Sequence, residues 1–228
     1  LRSYNREMPE EINRVLTDHI STGLFVPSDL AVQNLKKEGL TTGVFNVGDI
    51  MKDLVYYVKN KGLIGAKINK ENYYYVTLHR PYNTDDKERL SYVLKSLNNL
   101  KCSVVMAIHP RTNNLMMHYG MDKHEYENID FIEPQSYFDN LTYLNNSEGL
   151  ITDSGGMQKE AYWLEKKCVT IRKETEWVET LKKGNNTLLF DDLDVLQNVL
   201  SKNNSDWDTS LYGNAKTAEK IVQLILNS

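Results

Sequence analysis

The sequence predicts an α/β protein, a parallel sheet with helices on both faces. Two observations carry the prediction. Short apolar, strand-like runs alternate with longer stretches of helical periodicity, and the connections between them are short. Pro9–Ile20 reads as a helix with Ile12, Val15, Leu16 and His19 on one face. Leu24–Val26 is a strand candidate; Ser28 then caps a helix over Asp29–Lys37, which Gly39 stops. The strand Gly43–Val47 leads to a helix over Asp49–Lys61. From there the strands are Tyr73–Leu78, Val104–Ile108, Ile129–Ile132, Gly149–Ile151, Cys168–Ile171 and Thr187–Phe190. Helices over Asp85–Leu97, Asn113–Tyr119, Gln135–Leu144, Gly155–Leu164, Leu193–Lys202 and Asn214–Leu226 alternate with and follow them.

Residues 1–46 hold two strand candidates, too few for an independent sheet, and read as the C-terminal part of a first domain. Residues 47–208 alternate densely enough for a whole doubly wound domain, with the break near Gly48. Residues 209–228 form a terminal helix expected to cross back to the first domain. The chain opens "LRSYNREMPEE", without Met and without a strand before it, as a chain starting in mid-domain would.

With 228 residues, 40% hydrophobic and 25% charged, the chain has the balance of a globular protein. Its net charge of -4 argues against nucleic acid or a polybasic membrane contact, so the 14 tyrosines read as packing and surface residues. No apolar run approaches a membrane span and no signal peptide opens the chain, so the expected location is cytoplasmic. Cys102 and Cys168 each lie in an apolar run and read as small buried thiols, with no metal site implied.

One corner carries chemistry. The strand ending at Ile151 delivers Thr152-Asp153-Ser154-Gly155-Gly156 to the carboxyl edge of the sheet, where ligands bind. Glycines there let the backbone turn. Helix-start N–H groups with the positive end of the helix dipole make an anion site. Ser154 adds a hydroxyl, and Glu160, about a turn and a half deeper, is placed for a ribose diol. Phosphate at the glycines and ribose at Glu160 describe a nucleotide; an ordinary strand-to-helix turn with Ser or Asp as N-cap meets the same pattern. No G-x-G-x-x-G and no G-x-x-x-x-G-K-[ST] is present, which disfavours a dinucleotide cofactor and a P-loop.

"LITDSGGMQKEA" resembles the signature of the non-hydrolysing UDP-N-acetylglucosamine 2-epimerases, T-D-S-G-G-[IM]-Q-x-E-A. "RSYNREMPEEINR", "FVPSDLAVQNLKKEG", "VFNVGDIMKD", "VTLHRP", "HPRTN", "EPQSYFDNLTYL" and "IRKETEWVE" resemble further blocks of the family in its order, across essentially the whole chain. The resemblance implies two Rossmann-like domains of the glycosyltransferase-B type, the first largely missing here. An upstream half on the order of 100 residues would precede Leu1. It also implies a UDP-sugar substrate, a homodimer and no cofactor. The reaction would interconvert UDP-GlcNAc and UDP-ManNAc by eliminating UDP to a glycal and adding it back.

By that resemblance Glu10 matches an acid of the proton chemistry and His79 a histidine that contacts the phosphates or moves a proton. Without it, Glu10 is a first-turn acid favoured by the helix dipole and His79 a loop histidine at a strand end. Arg14, one turn on, is expected to pair with Glu10 and hold it, with Glu11 a surface or capping acid. Gln135, starting its helix, would lie near the uracil. His109 reads first as loop geometry. Trp177 stands where the family commonly has Arg, which leaves another UDP-acetamido sugar open as substrate; Trp cannot bind phosphate as Arg does. Two other readings are a glycosyltransferase of the same architecture and a UDP-binding module inactive alone.

Overall fold

The computed structural model describes residues 1–64, 68, 70–202 and 206–227. In chain order its helices and strands are α1 (Pro9–Ile20), β1 (Leu24–Val26), α2 (Asp29–Lys37), β2 (Val44–Asn46), α3 (Ile50–Asn60), β3 (Tyr73–Thr77) and α4 (Pro81–Thr84). There follow α5 (Lys87–Asn98), β4 (Ser103–Ala107), α6 (Pro110–His118), β5 (Ile129–Ile132), α7 (Tyr137–Asn146), β6 (Gly149–Thr152) and α8 (Gly155–Trp163). The chain closes with β7 (Lys167–Thr170), β8 (Asn186–Leu188), α9 (Leu196–Leu200) and α10 (Thr217–Leu226). The contacts divide it into two units, Leu1–Asn60 with Asp208–Ser228, and Lys61–Trp207.

In the first unit β1 and β2 pair in parallel, Leu24 opposite Val44 and Val26 opposite Asn46. Ser28 caps α2 by accepting from the Ala31 N–H at 3.3 Å, and the α2 face of Ala31 and Leu35 packs on Leu24 and Val26. The apolar face expected on α1 is not this core: Ile12 and Leu16 are exposed, and the helix buries Glu11 instead. The break falls after Asn60 rather than near Gly48, because α3 is tied to the terminal segment. Lys52, 1% exposed, donates to the carbonyls of Thr209, Leu211 and Gly213 at 2.7, 3.1 and 2.6 Å. Asp53 accepts from the Ala218 N–H at 2.8 Å.

The second unit is a six-stranded sheet in the order β5-β4-β3-β6-β7-β8, with every neighbouring pair parallel. Its central strands are buried on both sides, which is why "YYYV", "VVMA" and "GLIT" read as continuous apolar runs rather than alternating ones. Val76, Leu90, Leu94, Met106, Ile151 and Val169 lie in its core. The starts of α6 and α7 differ from the sequence reading because of capping. His109 caps α6 and accepts from the Arg111 N–H at 3.2 Å, so the helix opens at Pro110. Ser136 caps α7, so Gln135 lies before the helix and does not start it. Pro81 opens the short α4. Both cysteines are free, and burial pushes the Cys168 thiol up to about 12. Among the described residues no helix is long and apolar enough to cross a membrane, and no group of three or more His, Cys, Asp or Glu is placed to hold a metal.

Candidate functional site

Strand order creates the site. From β3 the chain moves out through β4 to β5; from β6 it moves the other way through β7 to β8. β3 and β6 are neighbours, Thr77 opposite Thr152, so the loops leaving their carboxyl ends diverge and open a crevice. A cleft of about 250 Å³ lies there, lined among others by His79, His109, Gln135, Asn140, Ser154 and Met157. Asn140 is held by the Tyr75 hydroxyl at 2.5 Å and itself holds the Gln135 carbonyl at 3.0 Å, which steadies the loop before α7.

α8 starts at this cleft. Ser154 occupies its N-cap position with extended backbone, yet the side chain makes no cap hydrogen bond. Its own N–H donates to Thr152 Oγ1 at 3.0 Å. Ser154 thus does not cap the first turn of α8, and the N–H groups of a helix start favour an anion. The glycines are not there for the turn, since neither has a positive φ. Gly155 lies at a close approach: a Cβ on it would meet Glu176 Oε1 at 2.9 Å, so the buried carboxylate would have to move. Glu176 is buried and paired with buried Arg172 at 3.0 Å.

Deeper on α8, Glu160 is 5% exposed, and its carboxyl is pushed up to about 7 by burial, against the opposing pulls of Lys159 and the Tyr137 hydroxyl. That hydroxyl is buried near Glu160 without a hydrogen bond of good geometry. Gly155, Gly156 and Glu160 are not among the residues lining the cleft. Trp177 is buried with the Lys159 ammonium 3.7 Å from its ring centroid, a cation–π contact.

Glu10 and Arg14 belong to the first unit and the other candidate residues to the second. On α1 the adjacent acids differ in burial. Glu10 is exposed, whereas Glu11 is 1% exposed and accepts from the N–H groups of Ser3 and Tyr4 at 3.0 and 3.1 Å. Arg14 pairs with Glu11 at 3.0 Å. Burial works to raise the Glu11 carboxyl, but the Ser3 and Tyr4 N–H groups and Arg14 outweigh it and hold it below the ordinary carboxylate value. The sequence reading offered Asp153 only as a possible N-cap; it is fully buried, with His79 Nδ1 3.0 Å from its carboxylate.

A doubly wound parallel sheet, a crevice at its switch point and a helix N-terminus at that crevice define a Rossmann-like α/β protein of the kind found in glycosyltransferase-B-type enzymes. The chain belongs to the UDP-N-acetylglucosamine 2-epimerase family, whose model matches residues 1–226. It is 40% identical to a UDP-N-acetylglucosamine 2-epimerase homolog of Methanococcus maripaludis, over 100% of this chain and 67% of that protein. It is 37% identical to the UDP-2,3-diacetamido-2,3-dideoxy-D-glucuronate 2-epimerase of Pseudomonas aeruginosa, over 99% of this chain and 65% of that one. The crystal structure of the Methanocaldococcus jannaschii UDP-GlcNAc 2-epimerase with UDP-GlcNAc and UDP superposes with a TM-score of 0.86 at 35% identity, covering 100% of this chain and 67% of that one. The chain thus spans about two thirds of the length of these relatives.

Proposed function

We propose that the protein carrying this chain is a non-hydrolysing UDP-N-acetylglucosamine 2-epimerase. The observation that carries the reading is the start of α8, which Ser154 does not cap, with Ser154 and His79 lining the cleft at the β3–β6 switch point. In this reading the N–H groups of Gly155 and Gly156 and the Ser154 hydroxyl bind the diphosphate, Glu160 accepts from the ribose diol, and Gln135 lies at the uracil. His79 contacts the phosphates or moves a proton.

The C2 proton of the sugar is not acidic, so simple deprotonation is a poor route. Elimination avoids a free carbanion: as a base takes the C2 proton, the C1–O bond breaks and UDP leaves with its electron pair, giving a glycal. Re-addition forms the C1–O bond again and returns a proton to the other face of C2. The atoms balance without an oxidant or reductant, so no redox cofactor enters the proposal. An anion site at a helix start stabilises the departing diphosphate without reorganisation. Glu10 takes part in the proton transfer, and Arg14 orients the α1 acids through Glu11. The reading carries with it a cytoplasmic location and a homodimer.

Incubating the full-length gene product with UDP-GlcNAc in deuterated water, without an acceptor, tests it. Deuterium at C2 and a second UDP-sugar are expected; a glycosyltransferase or an inactive binding module gives neither. A 2-epimerase of another UDP-acetamido sugar is the second reading, favoured by Trp177 in "TEWVE" and by the identity to the Pseudomonas aeruginosa enzyme. Comparing kcat/KM for UDP-GlcNAc and a diacetamido uronate analogue decides between them.

A further inference from the structure

Asp153 has no surface exposed. Its carboxylate accepts from the backbone N–H of His79 at 3.1 and 3.2 Å and of Arg80 at 3.0 Å, and from Asn83 Nδ2 at 3.1 Å. The His79 ring turns Nδ1 to Asp153 Oδ1 at 3.0 Å while 39% of its side chain stays exposed at the cleft. A carboxylate only accepts, so Nδ1 must carry the proton, and in the neutral ring the lone pair is left on Nε2.

The rest of the cluster fixes this assignment. Asn83, fully buried, donates through Nδ2 to Asp153 and to the Ile171 carbonyl at 2.9 Å, both pure acceptors. Its Oδ1 accepts from Arg89 Nε at 3.2 Å and Nη2 at 3.0 Å, a pure donor. The Asn83 amide therefore has one orientation, and it holds Asp153 in one rotamer.

We infer that Asp153 is a positioning residue for His79, holding the imidazole by Nδ1 so that Nε2 is the nitrogen presented to the nucleotide sugar. Asn83 and Arg89 brace Asp153 from behind. The inference rests on the reading of the cleft as the UDP-sugar site.

Two measurements test it. In this chain, labelled with 15N-histidine and assigned with His79→Gln, long-range 1H–15N correlation reads the His79 tautomer directly. Nδ1 protonation is expected; an Nε2-protonated neutral ring overturns the inference and needs no Asp153 variant. In the full-length gene product, Asp153→Asn is expected to lower kcat on the order of 100-fold with KM changed less than about threefold. Adding it to His79→Gln should lower kcat by no further factor beyond about threefold, because one residue acts through the other. Independent, multiplicative losses overturn the inference, as does a fall in activity matched only by a fall in folded fraction. Equal turnover by wild type and His79→Gln removes the role given to His79, a failure of the site reading that the tautomer measurement keeps separate.

Discussion

Glu160→Gln gives opposite signs for stability and for ligand affinity. Burial raises the Glu160 carboxyl from its ordinary 4.5 to about 7. Between those values the folded protein keeps the proton while the unfolded chain releases it, so stability falls as pH rises through the window. Above about 7 the folded protein bears the whole penalty, and below 4.5 none of it. At about 1.4 kcal/mol per pH unit the full penalty is about 3 kcal/mol, and about 2 kcal/mol of it develops between pH 5 and pH 8. Glutamine has the same shape and no charge. Urea unfolding should therefore show Glu160→Gln gaining about 2 kcal/mol on wild type between pH 5 and pH 8, or several degrees of Tm. UDP affinity should move the other way, because glutamine offers the diol one acceptor where a carboxylate offers two. Wild-type UDP affinity, relative to the variant, should also rise as pH passes about 7; the titration of UDP itself cancels in that comparison. The same stability difference at both pH values, or unchanged UDP affinity in the variant, would refute the reasoning.

Gly155→Ala puts a Cβ 2.9 Å from Glu176 Oε1, beside the buried Arg172 pair. It should cost about 1–3 kcal/mol in thermal unfolding and weaken UDP binding measured by calorimetry. Glu10→Gln should abolish C2 deuterium exchange in the full-length protein while UDP affinity stays within about twofold, because the role assigned to it is in proton transfer and not in nucleotide binding. Lys52→Met leaves the carbonyls of Thr209, Leu211 and Gly213 without their donor and should destabilise the first unit by about 3 kcal/mol in urea unfolding.

Periodicity revealed the elements well wherever the signal was local. The strand over Ile129–Ile132 and the helix over Asp29–Lys37, with its Ser28 cap, are found as the residues predict. Boundaries slipped where a cap overrode periodicity, as at His109 and Ser136. At the site, the Ser-Gly-Gly corner was legible because strand, glycines and helix are contiguous. The reason for Gly155 was not, since it lies in Glu176 packing against it from a later loop. Asp153 was illegible as a partner of His79 for the same kind of reason: His79, Arg80 and Asn83 lie in the loop and short helix α4 after a neighbouring strand, far away in sequence. Glu10 and Glu11 are adjacent and chemically alike. Only the fold of Ser3 and Tyr4 over α1 decides which is buried.

The measurement that bears most directly on the account is the electron density of UDP soaked into crystals of the protein. The diphosphate is expected within hydrogen-bond distance of the Gly155 and Gly156 N–H groups and the Ser154 hydroxyl, with His79 Nε2 facing it. A nucleotide bound elsewhere, with the first turn of α8 empty, would contradict it.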